Sequence, residues 1–172
     1  MQADGKYAEA EQEYRDVIKI DTKLIGPEHP DTLICRNNFA EMLDDQGKYA
    51  EAEVECRQIL EAAIKVAGLE DQTTLESRGA LAVALIGQGK FGEPAAQYED
   101  VIKAMERVLG IEHPSTLSYA TKFVAVLSHQ DKSAEAGAMA KELEEHARQR
   151  LGENNSITKK YAQLVQSVER KP

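Results

Sequence analysis

The sequence predicts an all-α chain wound as a right-handed α-α superhelix of about eight antiparallel helices, and three observations predict it. The first is composition: Ala, Glu, Leu, Lys and Gln dominate, while only five prolines and no tryptophan occur among 172 residues. Such a mixture favours helix in nearly every window outside a few Gly and Pro positions. The second is a period of 42. Gly5-Lys6-Tyr7-Ala8-Glu9-Ala10-Glu11 returns as Gly47-Lys48-Tyr49-Ala50-Glu51-Ala52-Glu53, then more loosely as Gly89-Lys90-Phe91-Gly92-Glu93-Pro94 and Asp131-Lys132-Ser133-Ala134-Glu135-Ala136. Between residues 5–46 and 47–88, 18 of 42 positions are identical. The third is apolar spacing of three, four and seven inside each unit, which marks helices with one buried face.

The period divides the chain into units 5–46, 47–88, 89–130 and 131–172, read as a single array over residues 1–172. Gly26, Gly68, Gly110 and Gly152 recur as stops, because glycine enters the left-handed conformation that ends a helix at little steric cost. Pro30 and Pro114 follow as starts, since a proline at the first helical position loses no hydrogen bond and presets φ. Each unit is therefore a long helix of about 20 residues from the Gly-Lys pair to the glycine stop, then a shorter one of about 16. Tyr7, Ala10, Tyr14, Val17, Ile18 and Leu24 form the apolar stripe of the first long helix. In the short helices Leu33, Phe39, Ala40 and Leu43 recur as Leu75, Leu81, Ala82 and Leu85, then as Leu117, Phe123, Val124 and Leu127. A hairpin of this kind leaves an apolar face that only its neighbour can cover, so stacking into a solenoid with a concave surface is expected. Pro94, in place of Ala10 or Ala52, is expected to delay or kink its helix.

Charge and composition narrow the function. With 30 acidic against 21 basic residues the formal charge is −9, which repels phosphate backbones and anionic lipid. No nucleic acid and no membrane are expected as partners; proteins or peptides are. No apolar run approaches the roughly 18 residues of a spanning helix, and residues 1–6 carry no signal-peptide core. A cytoplasmic protein with Cys35 and Cys56 as free thiols is the expectation, with no metal and no cofactor.

Three stretches carry a family resemblance: Gly47-Lys48-Tyr49-Ala50-Glu51-Ala52-Glu53, the turn Leu24-Ile25-Gly26-Pro27-Glu28-His29-Pro30-Asp31-Thr32-Leu33, and Arg36-Asn37-Asn38-Phe39-Ala40. Together they resemble the 42-residue tetratricopeptide repeats (TPR) of the kinesin light chain type, over almost the whole chain. The resemblance implies a TPR solenoid in which the short helix, A, lines a groove and the Gly-Lys helix, B, forms the outer wall. It also implies a non-enzymatic scaffold for protein-protein interaction, taking a peptide or protein segment in the groove. The Asn37-Asn38 pair is replaced by Gly79-Ala80, Thr121-Lys122 and Gln163-Leu164 in later units. Glu76 and Ala80 stand where a carboxylate clamp of chaperone-binding relatives would need basic residues.

Transferred from that family by repeat position, the groove-facing residues that the resemblance implies are Asn37, Asn38, Glu41, Asp44 and Asp45 on the first short helix, and Glu76 and Val83 on the second. Thr121, Lys122 and Ala125 follow on the third, then Lys160, Gln163, Ser167 and Arg170 on the fourth. Glu41, Asp44, Asp45 and Glu76 are acidic, whereas Lys122, Lys160, Arg170 and Lys171 are basic. That split predicts a polarised groove, its acidic end matched to a partner's basic part and its basic end to an acidic part. A solvated charged face is the plainer reading.

The two ends differ. The array opens on an unpaired B helix, whose Tyr7, Tyr14, Val17 and Ile18 keep internal-repeat chemistry. Self-association, as a homodimer or with upstream repeats, through helix 6–25 is the alternative function. The last A helix replaces apolar positions by Lys159, Gln166 and Glu169, leaving the stripe Ile157, Tyr161, Leu164, Val165 and Val168, as a polar cap would. His29 and His113 share one repeat position, which indicates turn packing rather than catalysis; His129 and His146 are isolated. No phosphate loop, nucleophile elbow or zinc-helix motif is present, and no catalytic residue is assigned.

Overall fold

The glycine and proline punctuation governs where the helices fall. The computed structural model describes residues 2–93 and 97–169, with side chains from Tyr7 onward. Among them the chain forms α1 (Gln2–Leu24), α2 (Pro30–Asp45), α3 (Tyr49–Ala67), α4 (Gln72–Gly87), α5 (Tyr98–Val108), α6 (Pro114–His129), α7 (Ser133–Leu151) and α8 (Ser156–Glu169). None is long and apolar enough to cross a membrane among the described residues. Two compact units result, up to Ala84 and from Leu85, the division falling inside α4 rather than in a linker.

Between a long helix and the next short one, the same turn is rebuilt. Gly26, Gly68, Gly110 and Gly152 all have φ between +86° and +102°, a region closed to most side chains. Thr32 Oγ1 then donates to the Gly26 carbonyl at 2.8 Å, and Thr158 Oγ1 to the Gly152 carbonyl at 2.9 Å. One residue of the turn caps the new helix. His29 Nδ1 accepts from the Asp31 amide, Asp71 Oδ1 from Thr73, His113 Nδ1 from Ser115 and Asn155 Oδ1 from Ile157. These four residues stand one period apart, and each supplies the side-chain acceptor that an orphan N–H at a helix start requires.

In the first unit, Phe39, Leu43, Ala52 and Ala84 form a buried cluster against which Tyr14, Ile18 and Met42 pack. The Tyr14 and Phe39 rings lie 5.9 Å apart, and the Arg15 guanidinium sits 5.0 Å over Phe39. Ala52 at full burial lets α3 approach closely, and a side chain such as Phe39 contributes about 1.5–3 kcal/mol by leaving water. Ion pairs stitch the helices from outside: Lys48 to Glu11 at 2.7 Å and Arg36 to Glu55 at 2.8 Å.

In the second unit Phe123, fully buried, meets Tyr98 at 5.9 Å and Tyr119 at 6.2 Å. The buried face of α8 is Thr158, Tyr161, Val165 and Val168, while Lys159, Gln166 and Glu169 are exposed. The long helix of this unit corrects the expected length. α3 and α7 each run 19 residues, but α5 runs 11 and starts only at Tyr98. A proline offers no N–H to the helix ladder and its ring crowds the carbonyl four residues back. Pro94 itself, where the delay or kink was expected, lies outside the described residues, as do Arg170 and Lys171.

Candidate binding face

Short helices carry the residues that the family resemblance assigns to a groove, and each unit can be built up on its own. In the first unit α2 exposes Asn38 and Asp45 and leaves Glu41 half-buried, while α4 carries a half-buried Glu76 that accepts from Gln72 Nε2 at 2.9 Å. Carboxylates at 41, 45 and 76 make this face acidic. Burial, and then the negative charges of Asp44 and Asp45, push the nearby Tyr49 phenol above its ordinary range.

Burial changes the standing of three assigned residues. Asn37 is buried and accepts from Ser77 Oγ at 3.2 Å, which places it between α2 and α4 rather than before a ligand. Asp44 and Val83 are buried as well. A helix surface of 16 residues has about 100° per residue. Positions 37, 44 and 83 therefore sit on the flank turned to a neighbouring helix, one step round from the solvent-facing Asn38 and Asp45.

In the second unit α6, the turn before it and α8 border an open pocket of about 460 Å³ lined by Glu112, Pro114, Leu117, Ser118, Thr121, Lys122, Ile157 and Lys160. Three of the assigned residues, Thr121, Lys122 and Lys160, thus come together. Thr121 Oγ1 is engaged by the Leu117 carbonyl at 2.9 Å, and Lys122 Nζ lies 5.9 Å from the Tyr119 ring centre. Ala125, Gln163 and Ser167 are exposed but do not line the pocket. The apolar walls, Pro114, Leu117 and Ile157, escaped the sequence reading. Leu117 was placed with Leu33 and Leu75 as core, and those two are buried, whereas Leu117 is half-buried and forms pocket wall. Two ammonium groups above an apolar wall suit an acidic segment with a greasy side chain.

The four residues assigned to self-association divide. Tyr14 and Ile18 face the Phe39–Leu43 cluster of their own unit, so they are held within the fold. Tyr7 and Val17 are exposed. At 45% exposure Val17 contrasts with its repeat counterparts Ile59, Val101 and Leu143, at 0%, 3% and 3%. Cys35 is half-buried and Cys56 buried, neither of them in a disulfide; burial first, then Asp21, raises the Cys35 thiol above its ordinary value. No group of three or more His, Cys, Asp or Glu that could hold a metal occurs among the described residues.

Comparison with known proteins follows the same repeat. Two family models described as tetratricopeptide repeat match residues 1–55 and residues 74–115. No curated protein matches the chain significantly. Among solved structures, a Podosopora anserina protein described as having kinesin light chain nearly identical TPR-like repeats is 22% identical over 97% of this chain and 79% of its own. Its TM-score is 0.70, and a substituted form of it, with the same identity and coverage, gives 0.72. BtubC (BKLC) from P. vanneervenii is 16% identical over 98% of this chain and 74% of its own, with a TM-score of 0.65. These likenesses show the fold: antiparallel helix pairs of the TPR solenoid class.

Proposed function

This chain belongs to the tetratricopeptide repeat family, whose repeats mark a protein-interaction scaffold, and from that premise we propose that it is non-enzymatic and takes an extended protein segment on its short helices. Basic residues of the partner meet Asn38, Glu41, Asp45 and Glu76 in the first unit. Acidic residues meet Lys122 and Lys160 in the second, with a neighbouring apolar side chain in the pocket against Leu117 and Ile157. The observation that carries this reading is the pocket of about 460 Å³ that gathers Thr121, Lys122 and Lys160. A cytoplasmic setting belongs to the same proposal. Acid-base catalysis by Glu41 or Asp44 with a histidine is set aside, because Glu41 stands on a partly open helix face and Asp44 is buried in helix packing, an arrangement unlike the water-excluding pocket that proton transfer chemistry uses.

The test uses fluorescent peptides of matched length, one with an acidic-apolar sequence and one with the charges reversed. The acidic peptide is expected to bind the chain with an affinity that falls as salt rises. In Lys122→Glu/Lys160→Glu that binding should drop at least about tenfold, as expected when two attractive contacts become repulsive. Equal binding by the double variant, with unchanged salt dependence, would discard the groove polarity.

A second reading rests on Val17. Its exposure, at a repeat position buried elsewhere, supports association of the chain with a second copy through the outer face of α1.

A further inference from the structure

Glu106 is a carboxylate in an unexpected place. It is 8% exposed, although its repeat counterparts Ile64 and Arg148 are both exposed. Its Oε1 has no hydrogen-bond partner among the described residues, and its Oε2 lies 3.5 Å from His146 Nδ1. Glu106 lines a narrow cleft between α5 and α7, on the long helices of the second unit and away from the short-helix face. Ile102, Met139 and Leu143, all buried, make its apolar floor, and Tyr98 stands half-buried at its side.

The charges around the cleft are unequal. From α5 come Glu99, Glu106 and Lys103, the lysine 3.8 Å from Glu99; from α7 come Glu142 and His146. Tyr161, fully buried on α8, feels the Glu106 charge. Three carboxylates against one lysine leave the site net negative even with His146 protonated. The Tyr98 phenol is held above its ordinary value by burial and then by Glu99, Glu135 and Glu142, which agrees with a negative potential here. A buried carboxylate oxygen with no donor is costly to maintain, and a cation completes it.

The cleft is narrow, with about 30 Å³ for the centre of a water-sized group, which suits a compact ammonium head on a slim alkyl stem better than a broad planar cation. We propose that the α5–α7 cleft binds a primary alkylammonium group, the side chain of a lysine on a partner protein. Its Nζ would stand at Glu106 and its stem would lie along Tyr98, Ile102 and Met139. The assignment of the amine to a partner protein rests on the scaffold reading; the ammonium site does not, and Lys122 and Lys160 take no part in it.

The full chain is titrated with methylammonium chloride against sodium chloride at equal ionic strength, following amide resonances of α5 and α7 by NMR. Saturable shifts clustered at Glu106, His146 and Tyr98 are expected. In Glu106→Gln, with helical circular dichroism retained, affinity should fall at least about tenfold, the effect of losing one charge-assisted contact. His146→Gln removes the competing imidazole and should tighten binding. Shifts that do not saturate, an unchanged curve in Glu106→Gln, or weaker binding by His146→Gln would each overturn the proposal. Nα-acetyl-lysine methylamide should bind about tenfold more tightly than methylammonium by covering the apolar wall. Equal affinity would overturn the lysine assignment. Failure of this titration leaves the peptide experiment on Lys122 and Lys160 standing, and the converse holds.

Discussion

Ser77 Oγ donates to Asn37 Oδ1 across 3.2 Å, joining α4 to α2 inside the first unit. The neighbouring Asn38, identical in type and one residue on, is exposed. Two adjacent asparagines therefore hold different offices, one in the packing of short helices and one toward solvent. Asn37→Ala is expected to cost about 1–2 kcal/mol, as a buried hydrogen bond is lost and a polar group left behind. Asn38→Ala should stay within about 0.5 kcal/mol, as at ordinary surface sites. Urea unfolding monitored by circular dichroism measures both. Equal losses would contradict the division of labour.

The cap position predicts a substitution table in small. His113 Nδ1 accepts from the Ser115 amide at 3.3 Å, and the repeat places Asp71 and Asn155 in the same role. What the position requires is a side-chain acceptor, not an imidazole. His113→Ala should lower stability by roughly 0.5–2 kcal/mol. His113→Asp should keep most of it, because the carboxylate also favours the positive end of α6. Thermal melts of the three proteins read the order directly; a variant order with Asp no better than Ala would remove the capping role.

Glu11 supplies the pH dependence. Its carboxyl is held below the ordinary range, first by the Lys48 ammonium at 2.7 Å and then by the Arg15 guanidinium at 2.8 Å. A carboxyl with a lowered folded pKa adds stability above its unfolded value, near 4.3, and loses it as pH falls through the folded value. Acid therefore loosens the tie between α1 and the start of α3. Glu11→Gln should cost up to about 1 kcal/mol at neutral pH, the scale of a partly exposed pair. The difference from wild type should be smaller in acid, below the unfolded value of about 4.3, than at neutral pH. Parallel stability curves at both pH values would rule the pair out as a contributor.

Much of this architecture is written in punctuation that a period exposes. Pro30, Pro114 and the four glycine stops place helix boundaries almost to the residue, because their backbone chemistry acts locally. At Tyr98 the period alone misleads, since α5 begins far later than Phe91, the counterpart of the residues that open α3 and α7, in the direction that Pro94 led one to expect. Thr121, Lys122 and Lys160, assigned to one face by repeat position, do line one pocket, since side-chain direction on a helix follows its register. The burial of Asn37, Asp44 and Val83 was not legible, because which flank of a short helix is covered depends on how tightly its neighbour packs. Glu106 was invisible for the same reason. Its counterparts Ile64 and Arg148 are on the surface, and nothing in the letter sequence announces that this carboxylate is buried beside His146.

The exposed Val17 separates the two functional readings. At the same repeat position Ile59, Val101 and Leu143 are buried, so covering Val17 would give it the environment its counterparts already have. Tyr14 and Ile18 cannot serve as controls, since they pack on the Phe39–Leu43 cluster and their substitution would also destabilise the unit. Val17→Lys places a charge on the outer face of α1 without touching that cluster, and the lysine stem can lie along the helix with its head in water. If two copies associate here, light scattering should show the wild type above monomer mass at concentrations where Val17→Lys is monomeric, with equal helical signal. A wild type that stays monomeric over the same range would remove the assembly reading. Binding of the acidic peptide should be untouched by Val17→Lys in either case, because Lys122 and Lys160 belong to the second unit, and a variant that lost both properties would mean that the peptide is held by the associated form.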